Sequence, residues 1–257
     1  MKLKFKNFKI VYIETVDSTN NYAKNLLKHN NIVENTVILT DYQTKGRGQK
    51  ENKWLSEKKK NLTFSIVIFP QLKVEDHFFL SIAVSLGILD CISNFVENIK
   101  LKWPNDIYYF NKKLGGILIE NSIKQGIVEN SIIGIGININ QTKFFPELNA
   151  TSLKLINNKS YNRFHILYNL LCKISNRIEY LKNMDLHDKT NIKNEYLKNL
   201  YLLNKWHNYF LPDGKILTGK IIDIENEGRL IIKDKEDKIL KFNFKEICFF
   251  NKELKKI

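Results

Sequence analysis

The amino-acid sequence predicts an α+β protein with two units: a larger body of strands and helices, and a small all-β unit at the C-terminus. Up to about Trp206, apolar runs rich in β-branched residues alternate with longer stretches whose apolar residues recur at helical spacing. Beyond Trp206 the pattern changes to short strand candidates punctuated by glycines. We therefore expect one domain over residues 1–206 and a second over residues 207–257.

Composition is that of an ordinary globular protein. The chain has 257 residues, of which 43% are hydrophobic and 26% charged, so it can bury a substantial core. No apolar run reaches the roughly 18 residues that span a bilayer, and the basic segment at residues 1–6 has no apolar signal core. We expect a soluble, cytoplasmic protein. The three cysteines are far apart and the five histidines form no zinc-like cluster, which favours reduced thiols and no transition metal.

The formal net charge is +14, from 41 basic and 27 acidic side chains. Such a charge favours acidic partners, including nucleic acid, nucleotides and acidic proteins. Lysine, asparagine and isoleucine are heavily used throughout, however, and the lysines form no block interleaved with aromatics, so biased composition explains the charge more simply. A basic nucleic-acid-binding protein stays an alternative of a different class, and it predicts strongly salt-dependent binding.

The individual elements follow from periodicity and from turn residues. In the body, strands are predicted over residues 8–14, 36–40 and 61–69, after Asp106, and over residues 113–120 and 131–140. Helices are predicted over residues 20–28, 78–96, 164–181 and about 190–203. In the C-terminal unit, strands are predicted over residues 215–224, 229–233 and 238–244, with hairpin turns at residues 225–228 and 235–237. Ser18 or Thr19 is the expected N-cap of the first helix.

A polar, basic loop over residues 41–54 separates two of these strands. Gly46 and Gly48 flank Arg47 and allow backbone conformations and close approaches that a Cβ would forbid. The guanidinium of Arg47 offers a planar fork of donors suited to a carboxylate or a phosphate. The sequence therefore indicates a loop that closes over an anion.

Glycine pairs mark two further strands. Lys113 stands two residues before Gly115 and Gly116, in a position where a lysine has little structural reason to occur. Gly134 and Gly136 are two residues apart and so share one face of their strand, where they leave a flat surface for a ring.

Four segments, in this order and spacing, resemble the biotin protein ligase family. They are Asp17-Ser18-Thr19-Asn20, then Gln43 to Gly48 with Trp54, then Lys102-Trp103-Pro104-Asn105-Asp106 with Lys113-Leu114-Gly115-Gly116, and Gly134 to Asn138. The resemblance covers about residues 10–156. It implies a class II synthetase-like catalytic domain of the biotin/lipoate ligase type, with a mixed sheet flanked by helices and a small C-terminal SH3-like β-barrel. It also implies a monofunctional form without the family's N-terminal DNA-binding domain, and hence no specific DNA binding.

The resemblance implies a two-step reaction. Biotin and ATP give biotinyl-5′-AMP and pyrophosphate, and a lysine of a biotin carboxyl carrier protein domain then displaces AMP. Neither step needs an enzyme nucleophile, and no Ser-His-Asp or Cys-His arrangement is evident. Catalysis would depend on alignment and on charge stabilisation, with Mg²⁺ accompanying ATP. A monomer or weak homodimer without membrane attachment is expected.

Site residues are carried over position by position. The family implies biotin contacts at Ser18, Thr19, Asn20, Gln43, Gly46, Arg47, Gly48, Gln49, Lys113, Gly115 and Gly116. It implies ATP contacts at Arg47, Trp54, Lys102, Asn105, Lys113 and Asn138. The expected catalytic residues are Lys113, Arg47 and Asp106, and Asp106 is also the candidate Mg²⁺ ligand.

The sequence departs from the family at Gln49, where many members have a second arginine, and Lys50-Glu51-Asn52 replaces a more usual basic-Gly pair. Because Gln49 cannot cancel charge, we expect weaker retention of the adenylate. Two related readings stay open: a lipoate or octanoate ligase of the same fold, and a regulatory biotin-binding protein without ligase activity. The Trp-Pro-Asn-Asp and Lys-Leu-Gly-Gly motifs favour biotin over lipoate, and the presence of Arg47 and Lys113 argues against a purely regulatory protein.

Overall fold

A mixed β-sheet forms the centre of the protein, as seen in a computed structural model. The model describes residues 2–5, 8–32, 34–49, 52–182 and 184–250, with side chains from residue 8 onward. Met1, Lys6, Lys50 and Glu51 lie outside the described residues. The strands of the large sheet are β1 (Lys2–Phe5), β2 (Phe8–Val16), β3 (Thr36–Gln43), β4 (Leu62–Ile68), β5 (Leu72–Lys73), β6 (Ile99–Lys102), β7 (Asp106–Tyr109), β8 (Lys112–Lys124) and β9 (Ile127–Ile137).

Five α-helices accompany these strands in the described part of the chain: α1 (Thr19–Lys28), α2 (His77–Ile92), α3 (Leu153–Asn157), α4 (Arg163–Leu181) and α5 (Leu186–Lys198). The sheet order is β1-β2-β3-β4-β9-β8-β7-β6, and β5 pairs with β9. Strands β2 and β3 are parallel because α1 provides the crossover between them. The other pairs are antiparallel.

Helices cover both faces of the central strands. Val37 and Leu39 of β3 point into the larger hydrophobic cluster, which also contains the apolar residues of α2 and α4. Ile38, between them, points to the opposite face and packs with Ala23 of α1 and Val67 of β4. Successive side chains of a strand face opposite ways, so a run that is apolar at every position needs a layer on each side.

The C-terminal unit is a four-stranded antiparallel sheet of β10 (His207–Phe210), β11 (Ile216–Ile224), β12 (Leu230–Asp234) and β13 (Ile239–Phe242). Its buried residues, including Tyr209 and Ile221, belong to the same hydrophobic cluster as the body. The indole Nε1 of Trp103 donates a hydrogen bond to the carbonyl oxygen of Gly228 at 2.9 Å. The sheet therefore lies against the Trp-Pro-Asn-Asp segment, while the division at residue 206 stays a prediction.

The α+β fold class is confirmed, and most predicted elements are present with shifted ends. Strand β3 continues to Gln43 because its polar end still pairs with β2. The second helix ends at Ile92, and the helix expected from about residue 190 begins at Leu186, where Asp185 and Asp188 form a capping box. The strands β1, β5, β6 and β10 and the helix α3 were not predicted, since each is five residues or shorter. Among the described residues, no helix is both long and apolar enough to cross a bilayer.

Candidate active site

A cavity of about 810 Å³ lies over strands β4, β9 and β8. Its lining includes these residues predicted from the sequence: Ser18, Thr19, Asn20, Gln43, Arg47, Gly48, Gln49, Trp54, Lys102, Asn105, Asp106, Lys113, Gly116 and Asn138. Gly46 lines a neighbouring cavity of about 820 Å³ that shares Arg47 and Trp54 with the first. Gly115 packs directly against the backbone of Gly136, so a side chain there would collide with the adjacent strand.

The floor of the cavity is a row of small residues on three neighbouring strands. Thr63 of β4, Gly136 of β9 and Gly116 of β8 lie side by side in register. The indole of Trp54 rests on Gly136, and the amide of Asn20 rests on Gly134, so a Cβ at either glycine would overlap these groups. The predicted flat surface is therefore present, and an aromatic ring of the protein itself lies on it.

Lys113 and Asp106 meet at one end of this floor. The ammonium Nζ of Lys113 is 2.6 Å from Oδ1 of Asp106, although the contact lacks hydrogen-bond geometry. Residues three apart in a regular strand point to opposite faces, but an extra residue in β8, at Leu114, turns Lys113 toward the face of Gly116. A Cβ at Gly116 would stand 3.4 Å from both charged atoms, so the second glycine of the motif makes room for this pair.

The start of α1 forms a hydrogen-bonded network with the floor. Oε1 of Gln43 accepts bonds from the backbone N–H and the hydroxyl of Thr19, at 2.8 and 3.1 Å. The hydroxyl of Ser65, which is fully buried on β4, lies 2.7 Å from the Thr19 hydroxyl and 2.6 Å from Oδ1 of Asn20. Ser18 is the N-cap by its backbone, as predicted, but its side chain makes no capping bond. Its hydroxyl is therefore not committed to the helix.

Arg47 lies on a short loop, residues 44–54, which we call the lid loop. The loop is closed by backbone hydrogen bonds from Trp54 to Gly46 and from Gly48 to Asn52. Nη2 of Arg47 donates to Oε1 of Glu120 at 2.9 Å, and Nη1 donates to Oε2 of Glu120 at 3.3 Å and to Oδ1 of Asn21 at 2.7 Å. The arginine is thus held over the cavity by an acidic residue of β8.

Lys102, Asn105 and Asn138 have different surroundings. Lys102 is buried, with its Nζ 4.6 Å from the ring centroid of Phe249 in the C-terminal unit. Asn105 donates from Nδ2 to the Ile117 carbonyl at 2.5 Å, which fixes the turn to β8. Asn138 donates to the Thr151 carbonyl at 3.0 Å and leaves its Oδ1 facing no donor.

Unsatisfied polar atoms are concentrated in the cavity. In the described part of the chain, seven buried side-chain atoms have no hydrogen-bond partner, and four of them belong to the lining: Gln49 Oε1, Trp54 Nε1, Asp106 Oδ1 and Asn138 Oδ1. A buried polar atom without a partner costs about 1–3 kcal/mol. Such atoms are expected where a ligand supplies the missing bonds.

Ser65, Glu120 and Asn21 were missed in the analysis of the sequence. Ser65 is a small polar residue followed by the apolar run Ile66 to Ile68 in β4, and Glu120 is a carboxylate directly after the apolar run Ile117 to Ile119 in β8. Both interruptions are visible in the sequence. Asn21 carries no comparable signal, since a polar residue in the first turn of a helix is ordinary.

The described residues contain no cluster of three or more His, Cys, Asp or Glu side chains that could hold a metal ion. Mg²⁺ commonly binds through one or two carboxylates together with substrate phosphates, and the single carboxylate of Asp106 fits that mode.

The chain is similar in sequence and in structure to proteins of known function. Residues 12–138 match the model of the Biotin/lipoate A/B protein ligase family. The chain is 29% identical over 241 residues to the bifunctional ligase/repressor BirA of Bacillus spizizenii, covering 88% of this chain and 70% of that protein. It is 27% identical over 205 residues to a biotin–[acetyl-CoA-carboxylase] ligase of Mycobacterium tuberculosis, covering 78% of this chain and 74% of that protein. A biotin protein ligase from Aquifex aeolicus in complex with biotin and ATP superposes with a TM-score of 0.75 at 29% identity, covering 95% of this chain and 98% of that one.

Proposed function

Since residues 12–138 belong to the biotin/lipoate A/B protein ligase family, we propose that the chain is an ATP-dependent biotin ligase. It activates biotin as biotinyl-5′-AMP and transfers the biotinyl group to a lysine of a biotin carboxyl carrier protein. The observation that carries the proposal is the cavity itself, where Arg47 and the Lys113–Asp106 pair lie beside buried polar atoms that lack partners.

In the first step, a carboxylate oxygen of biotin attacks the α-phosphorus of ATP, and the bond to the leaving pyrophosphate breaks. Negative charge is concentrated where the two anions meet. Lys113 and Arg47 supply the cations: the lysine as a compact point charge, the arginine as a planar fork. Fixed charges in a site that excludes water stabilise the transition state without reorganisation.

In the second step, the ε-amine of the carrier lysine attacks the acyl carbon, the bond to the AMP oxygen breaks, and the amine loses a proton. Asp106 is our candidate for receiving or orienting that amine. Its Oδ1 is buried, pairs with the ammonium of Lys113 and lies beside Gly116 on the floor of the cavity. The lid loop keeps water from the mixed anhydride between the two steps.

The hydrogen-bonding groups of the cavity indicate where the ureido ring of biotin and the adenosine of ATP bind. The ureido ring of biotin presents two N–H donors and a carbonyl acceptor, which suit the network of Thr19, Asn20, Gln43 and Ser65. The indole of Trp54 provides a face on which adenine can stack, and Oδ1 of Asn138 can accept a bond from an adenine amine or a ribose hydroxyl. Mg²⁺ would enter with the phosphates and neutralise part of their charge, with Asp106 as its protein ligand.

The same network argues against lipoate. A dithiolane ring has no N–H or carbonyl group, so it could not form hydrogen bonds with Thr19, Asn20 or Gln43, whereas the ureido ring of biotin can.

The test is to incubate the protein with ATP, Mg²⁺, a biotin carrier domain, and labelled biotin or labelled lipoate in parallel. We expect label on the carrier from biotin, dependent on ATP and on the acceptor lysine. A carrier in which that lysine is replaced by arginine is the matched control. Label from lipoate alone, or no ATP-dependent label from biotin, would overturn the proposal.

A further inference from the structure

The lid loop is connected to the floor of the cavity through one carboxylate. Glu120 accepts two hydrogen bonds from Arg47, and its Oε2 accepts a third from Nδ2 of Asn20 at 2.7 Å. Asn20 is almost fully buried and also bonds to Ser65. One side chain of β8 thus contacts both the arginine of the lid loop and the start of α1.

The geometry leaves one edge of the Arg47 guanidinium unused. Both Nη1 hydrogens are taken, one by Asn21 and one by Glu120, and Nη2 makes a single bond to Glu120. Nε and the second Nη2 hydrogen make no hydrogen bond to the described residues. That edge is one of the two on which a guanidinium can bind a carboxylate or phosphate bidentately.

We propose that Glu120 is a positioning residue for the ligase reaction: it holds Arg47 over the cavity so that the unused edge meets the reacting anion. The inference rests on the proposed function and concerns how the lid loop is oriented. Glu120 also accepts a hydrogen bond from Asn20, which lies at the proposed biotin end of the cavity. Binding of biotin at that end is therefore coupled to the position of Arg47 through the Glu120 carboxylate.

A purely structural role explains this arrangement poorly. The side chains of Arg47 and Glu120 are 36% and 28% exposed, and ion pairs this accessible contribute little to folding stability. The pair also fixes a loop rather than two regular elements. Fixing the Arg47 side chain costs conformational entropy. This ordering is useful if the orientation of the arginine matters for binding a ligand.

Replacing Glu120 tests the contact in the ligand-free protein first. In Glu120→Gln the amide oxygen can still accept hydrogen bonds, but the amide nitrogen can only donate them. One of the two contacts, with Arg47 or with Asn20, would then place two donors against each other. We expect faster tryptic cleavage after Lys45 and Lys53, which are exposed at and near the two ends of the lid loop. Glu129→Gln, an exposed glutamate on the neighbouring strand β9, is the control and should cleave like the wild type. Equal cleavage of all three proteins would overturn the holding contact.

The reaction provides the second test. We expect Glu120→Gln to slow biotinyl-AMP formation by about 10- to 100-fold, as misplacement of a reacting group does, with partial recovery in Glu120→Asp and unchanged Tm. In an Arg47→Ala background the same change should add little, because Glu120 acts through Arg47. An equal slowing in both backgrounds, or none in either, would overturn the positioning role.

The two proposals fail differently. If the wild-type protein forms no biotinyl-AMP, the ligase function fails and the positioning role in that reaction fails with it, while the proteolysis result still decides the Arg47–Glu120 contact. If the wild type is active and Glu120→Gln matches Glu129→Gln in rate, the ligase function stands and the positioning role alone is wrong.

Discussion

Arg177 and Arg47 both form ion pairs with carboxylates, but they have different roles in the protein. Arg177 of α4 donates from Nε and Nη2 to Asp90 of α2, at 2.8 and 2.9 Å, and from Nη1 and Nη2 to Glu195 of α5, at 2.7 and 2.6 Å. Both edges of its guanidinium are occupied, and three helices are tied together. Arg47 has one carboxylate partner and one open edge. An arginine whose edges are filled by the protein braces the fold, and one left half-filled beside a cavity is available to a ligand.

The surroundings of the two arginines agree with this distinction. Hydrogen bonds from Arg177 to Asp90 and to Glu195 raise the pKa of its guanidinium above the already high ordinary value, against the opposing effect of burial. No buried atom without a hydrogen-bond partner occurs among these three residues, whereas the cavity beside Arg47 contains three that have neither a hydrogen bond nor an ion pair within the described residues, in Gln49, Trp54 and Asn138. Satisfied polar groups belong to the scaffold, and unsatisfied ones indicate a place for substrate.

Lys113→Ala gives the largest expected effect and tests the cavity side of this comparison. Removing a preorganised charge from the reacting centre costs about 10²- to 10³-fold in rate, so biotinyl-AMP formation should fall by that factor. The Tm should fall only slightly, because the Lys113 side chain is 32% exposed, although Asp106 loses its cation. Lys112→Ala, the exposed neighbour on β8, is the control. Activity close to that of Lys112→Ala would remove Lys113 from the mechanism.

Arg177→Met tests the scaffold side and should give the opposite pattern. Breaking the brace leaves Asp90 and Glu195 without their cation, and we expect a loss of about 2–3 kcal/mol in the free energy of unfolding. The folded fraction should keep its activity. Lys182→Met on the same chain segment removes an exposed lysine paired with Glu179 and should change stability by less than about 0.5 kcal/mol. A loss of activity in Arg177→Met without a loss of stability would contradict the assignment of a structural role to Arg177 and a ligand-binding role to Arg47.

The scaffold was easier to predict from the sequence than the connections within the site. Strand and helix periodicity is local, so β4, α2 and α4 could be read from their apolar residues. The sequence motifs also identified fourteen of the residues that line the cavity. The partner of Arg47 could not be found in this way, because Glu120 is distant in sequence and meets the lid loop only through the order of strands. The extra residue at Leu114 that turns Lys113 toward Asp106 is likewise a matter of strand register.

Asp41 belongs to the scaffold group, because its carboxylate accepts hydrogen bonds from Tyr12 and Arg163 of the protein itself. Burial alone would raise the pKa of Asp41, but hydrogen bonds from Tyr12 and Arg163, with the charge of Arg163, outweigh it and hold the pKa below the ordinary 3.8. The folded state therefore binds its proton less readily than the unfolded state. This contribution to stability is present above the unfolded-state pKa and is lost as pH falls through the folded-state value.

We expect the free energy of unfolding of the wild type to decrease with acidification below about pH 4, and that of Asp41→Asn to decrease less steeply. Denaturant titrations at several pH values measure the slopes. Glu97→Gln, at an exposed glutamate on the surface, serves as the control for a surface carboxylate. Parallel pH profiles for wild type and Asp41→Asn would show that Asp41 does not act as a scaffold carboxylate.

Gln49→Arg has the smallest expected effect and tests whether the lid loop can carry a second ligand cation. Gln49 lines the cavity with an unpaired Oε1, and it replaces the arginine found there in many family members. An added cation should slow release of biotinyl-AMP by about fivefold, on the order of 1 kcal/mol for a partly exposed pair. Gln125→Arg, in the hairpin turn between β8 and β9, adds the same charge away from the cavity and controls for the overall field. If both variants release the adenylate at the wild-type rate, Arg47 alone supplies the charge of the lid loop, and its open edge is sufficient for retention.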